Sequence, residues 1–287
     1  MENKQRVEIM NKIKILCVGC FHGTIPKNLD KIVKKEKPDL ILGSGDYAGI
    51  ELERPMAYYE LQAIKKYGTR FSLWPKKIQT KFLKIEKKAV KNGFNVLVHF
   101  GKLGIPFYFI HGNWDDPSVI GKIPQFHFKN KKNMFFMHNK IKKFKNIFVI
   151  GYGGYRPTSV KEYLYKDVPN QIVKLPEVLE YKRRITNEMQ KLFKKVGTKQ
   201  TILLTHDPPY KTFDYLKAAK KYYGEKITRS MIEKYQPLIC ICSHFHEYQG
   251  TMKIGKTIVV NVGYGKIGRM ALAEIENGKV KIKLIKL

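Results

Sequence analysis

The sequence predicts an α/β protein whose short buried strands carry ligand-type side chains at their C-terminal ends. Two observations predict it. Apolar, β-branched runs recur along the chain and alternate with stretches of helical spacing, as in Ile13–Val18, then Leu29, Ile32 and Val33, then Leu40–Leu42. Each run then empties into a loop rich in glycine and in His, Cys, Asp or Asn, where open α/β sheets place their chemistry.

The first strand, within Lys12 to Gly23, ends in Gly19-Cys20-Phe21-His22-Gly23. Cys20 and His22 are potential metal ligands, and the flanking glycines allow close backbone approach. Pro26 to Lys37 reads as a helix that Pro38 terminates. Asp39-Leu40-Ile41-Leu42 is a second inner strand leading into Gly43-Ser44-Gly45-Asp46-Tyr47, which completes a βαβ unit. Glu51 to Asn95 changes to lysine-rich helical text, with helices expected over Met56–Tyr67 and Lys76–Lys91. It reads as an inserted pair, either a lid over the site or a solvent-facing excursion, with Phe71, Leu73 and Trp74 as candidate anchors to the core.

A further strand, Ile105 to Ile110, delivers His111-Gly112-Asn113-Trp114-Asp115-Asp116-Pro117. Pro124 to His138 interleaves Phe126, Phe128, Phe135 and Phe136 with Lys129, Lys131 and Lys132, a pattern of half-buried strands or of a single-strand nucleic-acid surface. Ile147 to Ile150 precedes the loop Gly151-Tyr152-Gly153-Gly154-Tyr155-Arg156, whose glycines suit close approach to a ligand. Glu177 to Val196 is an amphipathic helix. Thr201 to Thr205 stops at His206-Asp207-Pro208-Pro209. Helical text around Ile227 to Tyr235 follows, and Leu238 to Cys242 then stops at Ser243-His244-Phe245-His246. Ile254 to Leu287 reads as an antiparallel edge hairpin around Glu276-Asn277-Gly278.

The 287 residues, 43% of them hydrophobic, suffice for one large core or two modest ones. The polar N-terminus and the lack of a long apolar run lead to the expectation of a cytoplasmic protein without membrane association. Four cysteines are too few for a disulfide scaffold. Cys17, Cys20, Cys240 and Cys242 could instead form a structural zinc site, or be buried thiols. The charge is the outlier. Fifty-five Lys+Arg against 24 Asp+Glu give +31, which favours a polyanionic partner but equally fits lysine-solvated helix faces.

Seven ligand-type residues gather at five strand ends: Cys20, His22, Asp46, Asn113, His206, His244 and His246. In order and flanking sequence this set resembles the calcineurin-like metallophosphoesterases, whose signature is G-D-x-H-G, G-D, G-N-x-D/E, a lone strand-end His and G-H-x-H. The resemblance spans about Ile13 to Gly263. It implies a four-layer αββα sandwich, here with a helical insertion at about 51–95, and two divalent metal ions. Metal one would be held by Cys20, His22, Asp46 and His246; metal two by Asp46, Asn113, His206 and His244, with Asp46 bridging. It further implies hydrolysis of a phosphoester by a metal-bound hydroxide, with Asp46, Asn113 and His206 central to catalysis and Asp115 supporting the ligands. RNA or nucleotide phosphodiesters are the leading expectation for the substrate. Phosphomonoesterase or protein phosphatase activity, and nucleic-acid binding without turnover, are the alternatives.

Three departures from the family pattern stand out. Cys20 replaces the usual Asp and leans the first site toward Zn or Fe over Mg, a form shared with RNA lariat-debranching enzymes, while Mn, Zn or Fe are the leading expectation for the two ions together. Trp114 replaces a histidine that serves many relatives as general acid, a role an indole cannot fill. Ser243 replaces a glycine, which is of small consequence if its φ is negative.

Overall fold

A computed structural model describes residues 12–49, 56–68, 71–115, 133–154, 176–197, 200–217 and 220–286, without the side chains of 56–61 and 176–178. Phe126, Phe128, Lys129, Lys131, Lys132, Tyr155, Arg156, Asp116 and Pro117 lie outside the described residues. In strand β1, Ile13–Val18, alternate side chains enter different cores. Ile13, Ile15 and Cys17 join one apolar cluster, and Leu16 and Val18 another. Strand β2, Leu40–Gly43, divides in the same way, with Leu40 and Leu42 on the first side and Ile41 on the second. A strand apolar on both faces must be covered on both, so these sequences require a layer on each side.

The first sheet has the order β14-β13-β1-β2-β3-β4, where β3 is Phe107–Phe109, β4 Met134–Phe136, β13 Met270–Glu276 and β14 Lys279–Ile285. The second has the order β11-β12-β10-β7-β6-β5. Its strands are β5 Lys140–Phe144, β6 Ile147–Tyr152, β7 Thr201–Thr205, β10 Ile239–Cys242, β11 Gly250–Ile254 and β12 Thr257–Asn261. Strands β8, Tyr215–Leu216, and β9, Lys221–Tyr222, form a small separate hairpin. The inner four strands of the second sheet, and β1 to β4 of the first, run parallel. The loops after β1, β2 and β3 therefore share one edge, as do those after β7 and β10.

The two sheets face each other across a core that includes Ile15, Leu42, Ile202, Leu204, Ile239 and Ile241. Helices α1, Leu29–Glu36, and α3, Lys76–Lys102, cover the outer face of the first sheet, with Leu29, Val33, Val96, Leu97 and Phe100 against Leu16, Ile41 and Phe107. Helices α4, Pro176–Val196, and α5, Lys226–Tyr235, cover the second through Ile185, Met189, Phe193, Met231 and Ile232. This is the αββα sandwich. The cysteines divide between layers: Cys17 faces the inter-sheet core, Cys240 and Cys242 the outer one, and all are free thiols, so they cannot close on one zinc. No helix among the described residues is long and apolar enough to cross a membrane.

Several elements differ from the sequence expectation. Helix α3 continues past Lys91 and past Asn95 to Lys102 because Val96, Leu97 and Phe100 bury against the sheet, so the helix does not end with the lysine-rich text but runs on into the core. Leu73 is exposed, and Trp74 packs on Phe71 and Phe82 within the helical pair formed with α2, Met56–Tyr67, instead of anchoring to the core. Strand β5, three lysines with half-buried Ile141 and Phe144, is absent from the sequence reading because its lysines hide an edge strand. The C-terminal stretch divides between the sheets. β12 pairs parallel with β10, and only β13 and β14 form the hairpin, closed by Asn277 and Gly278 with φ of 49° and 74°, the two left-handed residues of a type I′ turn. Of that hairpin only β14 is an edge, exposing Lys279, Lys281 and Lys283 at alternate positions.

Helix α3 also touches the loop that follows β2. A Cβ on Gly93 would stand 2.6 Å from Ala48 Cα, so only glycine permits this approach. Replacing an interior helical glycine by alanine ordinarily stabilises by about 1 kcal/mol. Here Gly93→Ala is expected to destabilise by about 1–3 kcal/mol, read from urea unfolding, because the backbone opposite cannot yield as a side chain could.

Candidate metal centre

The loop after β1 and the loop after β2 are zipped together by their backbones. Cys20 N–H donates to Gly45 O at 2.9 Å, Phe21 and His22 N–H to Asp46 O at 2.8 and 3.0 Å, and Gly23 N–H to Tyr47 O at 2.7 Å. Within this zipper Cys20, His22 and Asp46 take φ of 54°, 45° and 58°, and His244 across the centre takes 68°. Left-handed non-glycine residues cost of order 1 kcal/mol or more each and persist where the surroundings over-determine them. Four of the seven expected ligands are held this way. Ser243 has no positive φ, which answers the concern about its replacing glycine.

The loops after β2 and β3 are joined by a carboxylate. Asp115 Oδ2 accepts from Asp46 N–H at 2.6 Å and Gly112 N–H at 2.9 Å, and its Oδ1 accepts from Tyr47 and Ala48 N–H, both at 2.9 Å. A Cβ on Gly112 would stand 2.6 Å from Asp46 N, so this glycine is what lets the loops meet. Asp46 Oδ1 in turn accepts from Trp114 N–H at 2.9 Å.

Two donor clusters result, with Asp46 in both. Cys20, His22, Asp46 and His246 form one and Asp46, His206 and His244 the other, the donor atoms in each lying within 4.8 Å of one another. Asn113 adjoins the second: its amide lies 2.9 Å from both His206 Nε2 and His244 Nδ1. The histidines two apart after β10 thus divide between the clusters. His22 Nε2 and His246 Nε2 are 3.1 Å apart, and His206 Nε2 and His244 Nδ1 3.2 Å. Nitrogens placed tetrahedrally at about 2.0–2.1 Å from one ion would be about 3.3 Å apart, so the donors fit divalent ions. His206 Nδ1 lies 2.7 Å from Ser44 O and donates to it, which leaves Nε2 as the free donor.

Protonation follows from burial and from Asp46. Burial lowers the pKa of His22 and His244, and that of His246 to about 3, so these rings keep their lone pairs. Burial also disfavours charge on His206, yet the adjoining Asp46 carboxylate lifts it to about 9. Burial and Asp46 together raise the Cys20 thiol well above its usual value and push Asp115 up to about 6. Ions at the two clusters would compensate the thiolate and both carboxylates.

The calcineurin-like phosphoesterase family model matches residues 13–248. This chain belongs to that family. An uncharacterised protein of Methanocaldococcus jannaschii is 30% identical over 159 residues, 53% of this chain and 61% of its own length, so the match leaves more than a third of that relative uncovered. One crystal structure, 19% identical, superposes with a TM-score of 0.63 over 96% of this chain and 99% of its own, a likeness that concerns the fold alone. A dimetal phosphatase from Danio rerio is 8% identical, with a TM-score of 0.48 over 96% and 98% of the two chains.

The family comprises phosphoesterases, and the two clusters are this chain's candidate metal-ligand residues. Several neighbours of the centre were not visible in the sequence. Tyr264 stacks on His246 with ring centroids 4.2 Å apart, and Arg269 Nη1 donates to His246 O at 3.1 Å. Ser44 carries no ligand chemistry in its side chain, since its carbonyl does the positioning. His111 sits beside His138 at 4.6 Å and Phe136 at 5.8 Å, not within either donor cluster.

Two outcomes follow from this geometry. Asp115→Asn presents an NH2 group to the N–H donors it now accepts from. It is expected to cost roughly 2–4 kcal/mol in denaturant unfolding and to lower the metal content of purified protein. Cys20→Asp keeps the charge but replaces sulfur by oxygen, so metal analysis should show bound Zn or Fe giving way to Mn or Mg.

Proposed function

We propose that the chain hydrolyses phosphodiesters of nucleotides or RNA at a dinuclear centre of Zn, Fe or Mn, held by Cys20, His22, Asp46 and His246 on one side and by Asp46, Asn113, His206 and His244 on the other. The observation that supports a diester is the pair of aromatic walls beside His22. Trp114 and Tyr264 lie with ring centroids 6.2 and 5.8 Å from it. A diester brings two organic substituents to the ions where a monoester brings one, and these walls offer an aromatic flank for one of the two. The net charge of +31 supports a polyanionic or nucleotide substrate, and the free thiols of Cys17, Cys240 and Cys242 suit a cytoplasmic setting.

Bound divalent ions would supply Lewis acidity toward a phosphoryl oxygen and a nucleophilic water at neutral pH. The chain's own residues do the rest. Asp46, placed between the clusters, keeps the two sites adjacent. The Ser44 carbonyl holds His206 in the tautomer that presents Nε2, and the zipped loops hold Cys20 and His22 against Asp46 before any substrate arrives. Histidine and asparagine donors add no negative charge, so a phosphate meets a net positive site. Trp114 stands where an imidazole acid would serve an alkoxide, which favours esters with good leaving groups or protonation by solvent.

The test is hydrolysis of bis-p-nitrophenyl phosphate and p-nitrophenyl phosphate after chelation, with Zn, Fe(II), Mn or Mg restored one at a time. The diester is expected to be preferred and to need added metal, and Asp46→Asn to lose several kcal/mol of transition-state stabilisation, a hundredfold or more in rate. A preference for the monoester would overturn the diester reading. Bound metal without turnover of either ester would overturn the catalytic one.

A further inference from the structure

A second feature occupies the same edge of the sandwich. A polar pocket of about 280 Å³ lies where β3, β4 and β6 end, bordered by His111, His138, Tyr152, Tyr181, Arg184 and Glu188. Its place is set by the strands. Tyr152 of β6 is in register with Thr205 of β7, the residue before His206, and His111 precedes Asn113 by two residues. The pocket is thus built from positions near Asn113 in sequence and next in register to His206, although none of the candidate ligands lines it. Gly153 and Gly154, from the loop whose glycines suggested approach to a ligand, form part of its wall. A Cβ on Gly153 would stand 2.7 Å from His111 O, whereas one on Gly154 would have only His111 Nε2, at 3.9 Å, within 4 Å. The first glycine lets β6 meet the His111 loop, and the second leaves the space open.

The lining is chemically mixed. Tyr152 Oη donates to Glu188 Oε2 at 2.7 Å, which leaves the other carboxylate oxygen as an acceptor. Arg184 lies 5.2 Å from the Tyr181 ring centroid and forms no ion pair among the described residues, so its planar fork of donors remains available. The charges of Arg184 and Glu188 cancel, and a neutral pocket gives a phosphate no reason to prefer it over the metal ions. Its size is near the lower end, about 300 Å³, of pockets that take small organic ligands, which is too small for a folded polymer. An aromatic ring paired with a guanidinium plane suits a flat heterocycle, and donors beside an acceptor suit its hydrogen-bonding edge and a sugar.

We infer that this pocket receives the nucleoside of a nucleotide diester whose phosphate lies at the metal centre. The inference rests on the phosphodiesterase reading and adds to it the part of the substrate that is recognised. Arg184 and Glu188 are binding residues for the nucleoside, outside the metal ligands.

The test compares two esters with the same leaving group, thymidine 5′-(p-nitrophenyl phosphate) and methyl p-nitrophenyl phosphate, on the metal-loaded protein. The ratio of their kcat/KM values isolates the nucleoside. A ratio of about ten or more is expected, reduced about tenfold by Arg184→Gln and by Glu188→Gln, mainly through KM of the thymidine ester. A ratio near one, or a ratio that neither substitution changes, would overturn the inference. If neither ester is hydrolysed, the phosphodiesterase reading fails by itself, and the pocket is judged on calorimetric binding of thymidine and adenosine. Binding weakened by Arg184→Gln upholds the pocket, and binding that is absent or unaffected overturns it. Circular dichroism of both variants separates misfolding from lost recognition.

Discussion

Two carboxylates, Asp46 and Asp115, lie side by side in the interior, and the loops around them are arranged to make this tolerable. Burial and mutual repulsion both work against it, as the upward shift of Asp115 shows. Four backbone N–H groups turn toward Asp115, and the two donor clusters that share Asp46 supply four imidazoles and a place for cations. The same hydrogen bonds tie the ends of β2 and β3 together. The centre and the junction of the strands are therefore one construction, and neither carboxylate can be removed without loosening the loop that presents the other.

The sandwich explains why the ligands come from such distant parts of the chain. Parallel strands in each sheet deliver their C-terminal loops to one edge, and the face-to-face packing brings the ends of β1, β2 and β3 over those of β7 and β10. His22 and His246, 224 positions apart, end with their nitrogens 3.1 Å from each other. Apolar packing between the sheets is thus what sets the distances between the donor atoms of the two clusters.

Much of this was legible in the sequence because it is local. An apolar run stopping at glycine and histidine announces both a buried strand and a loop rich in donor side chains, and the seven candidate ligands at the ends of β1, β2, β3, β7 and β10 could be read that way. What was not legible is relational. The left-handed backbone of Cys20, His22, Asp46 and His244 depends on two loops bonding to each other, not on residue type. Tyr264 and the Ser44 carbonyl matter through what they touch. Helix α3 reads as solvent-facing lysine text until its last turns, since only the packing of Val96 and Phe100 reveals that it belongs to the outer layer. Strand β5 was masked by lysines for the opposite reason: an edge needs little apolar surface to pair.

Those edge lysines have a consequence for the excess positive charge. β14 closes one end of the first sheet and β5 one end of the second, and both carry ammonium groups along a rung that pairs with no further strand among the described residues. A second copy approaching either rung would set lysine against lysine before a single backbone bond could form. Part of the +31 therefore acts as insulation, keeping open-ended sheets from templating one another in a crowded solution, independently of any ligand the protein binds.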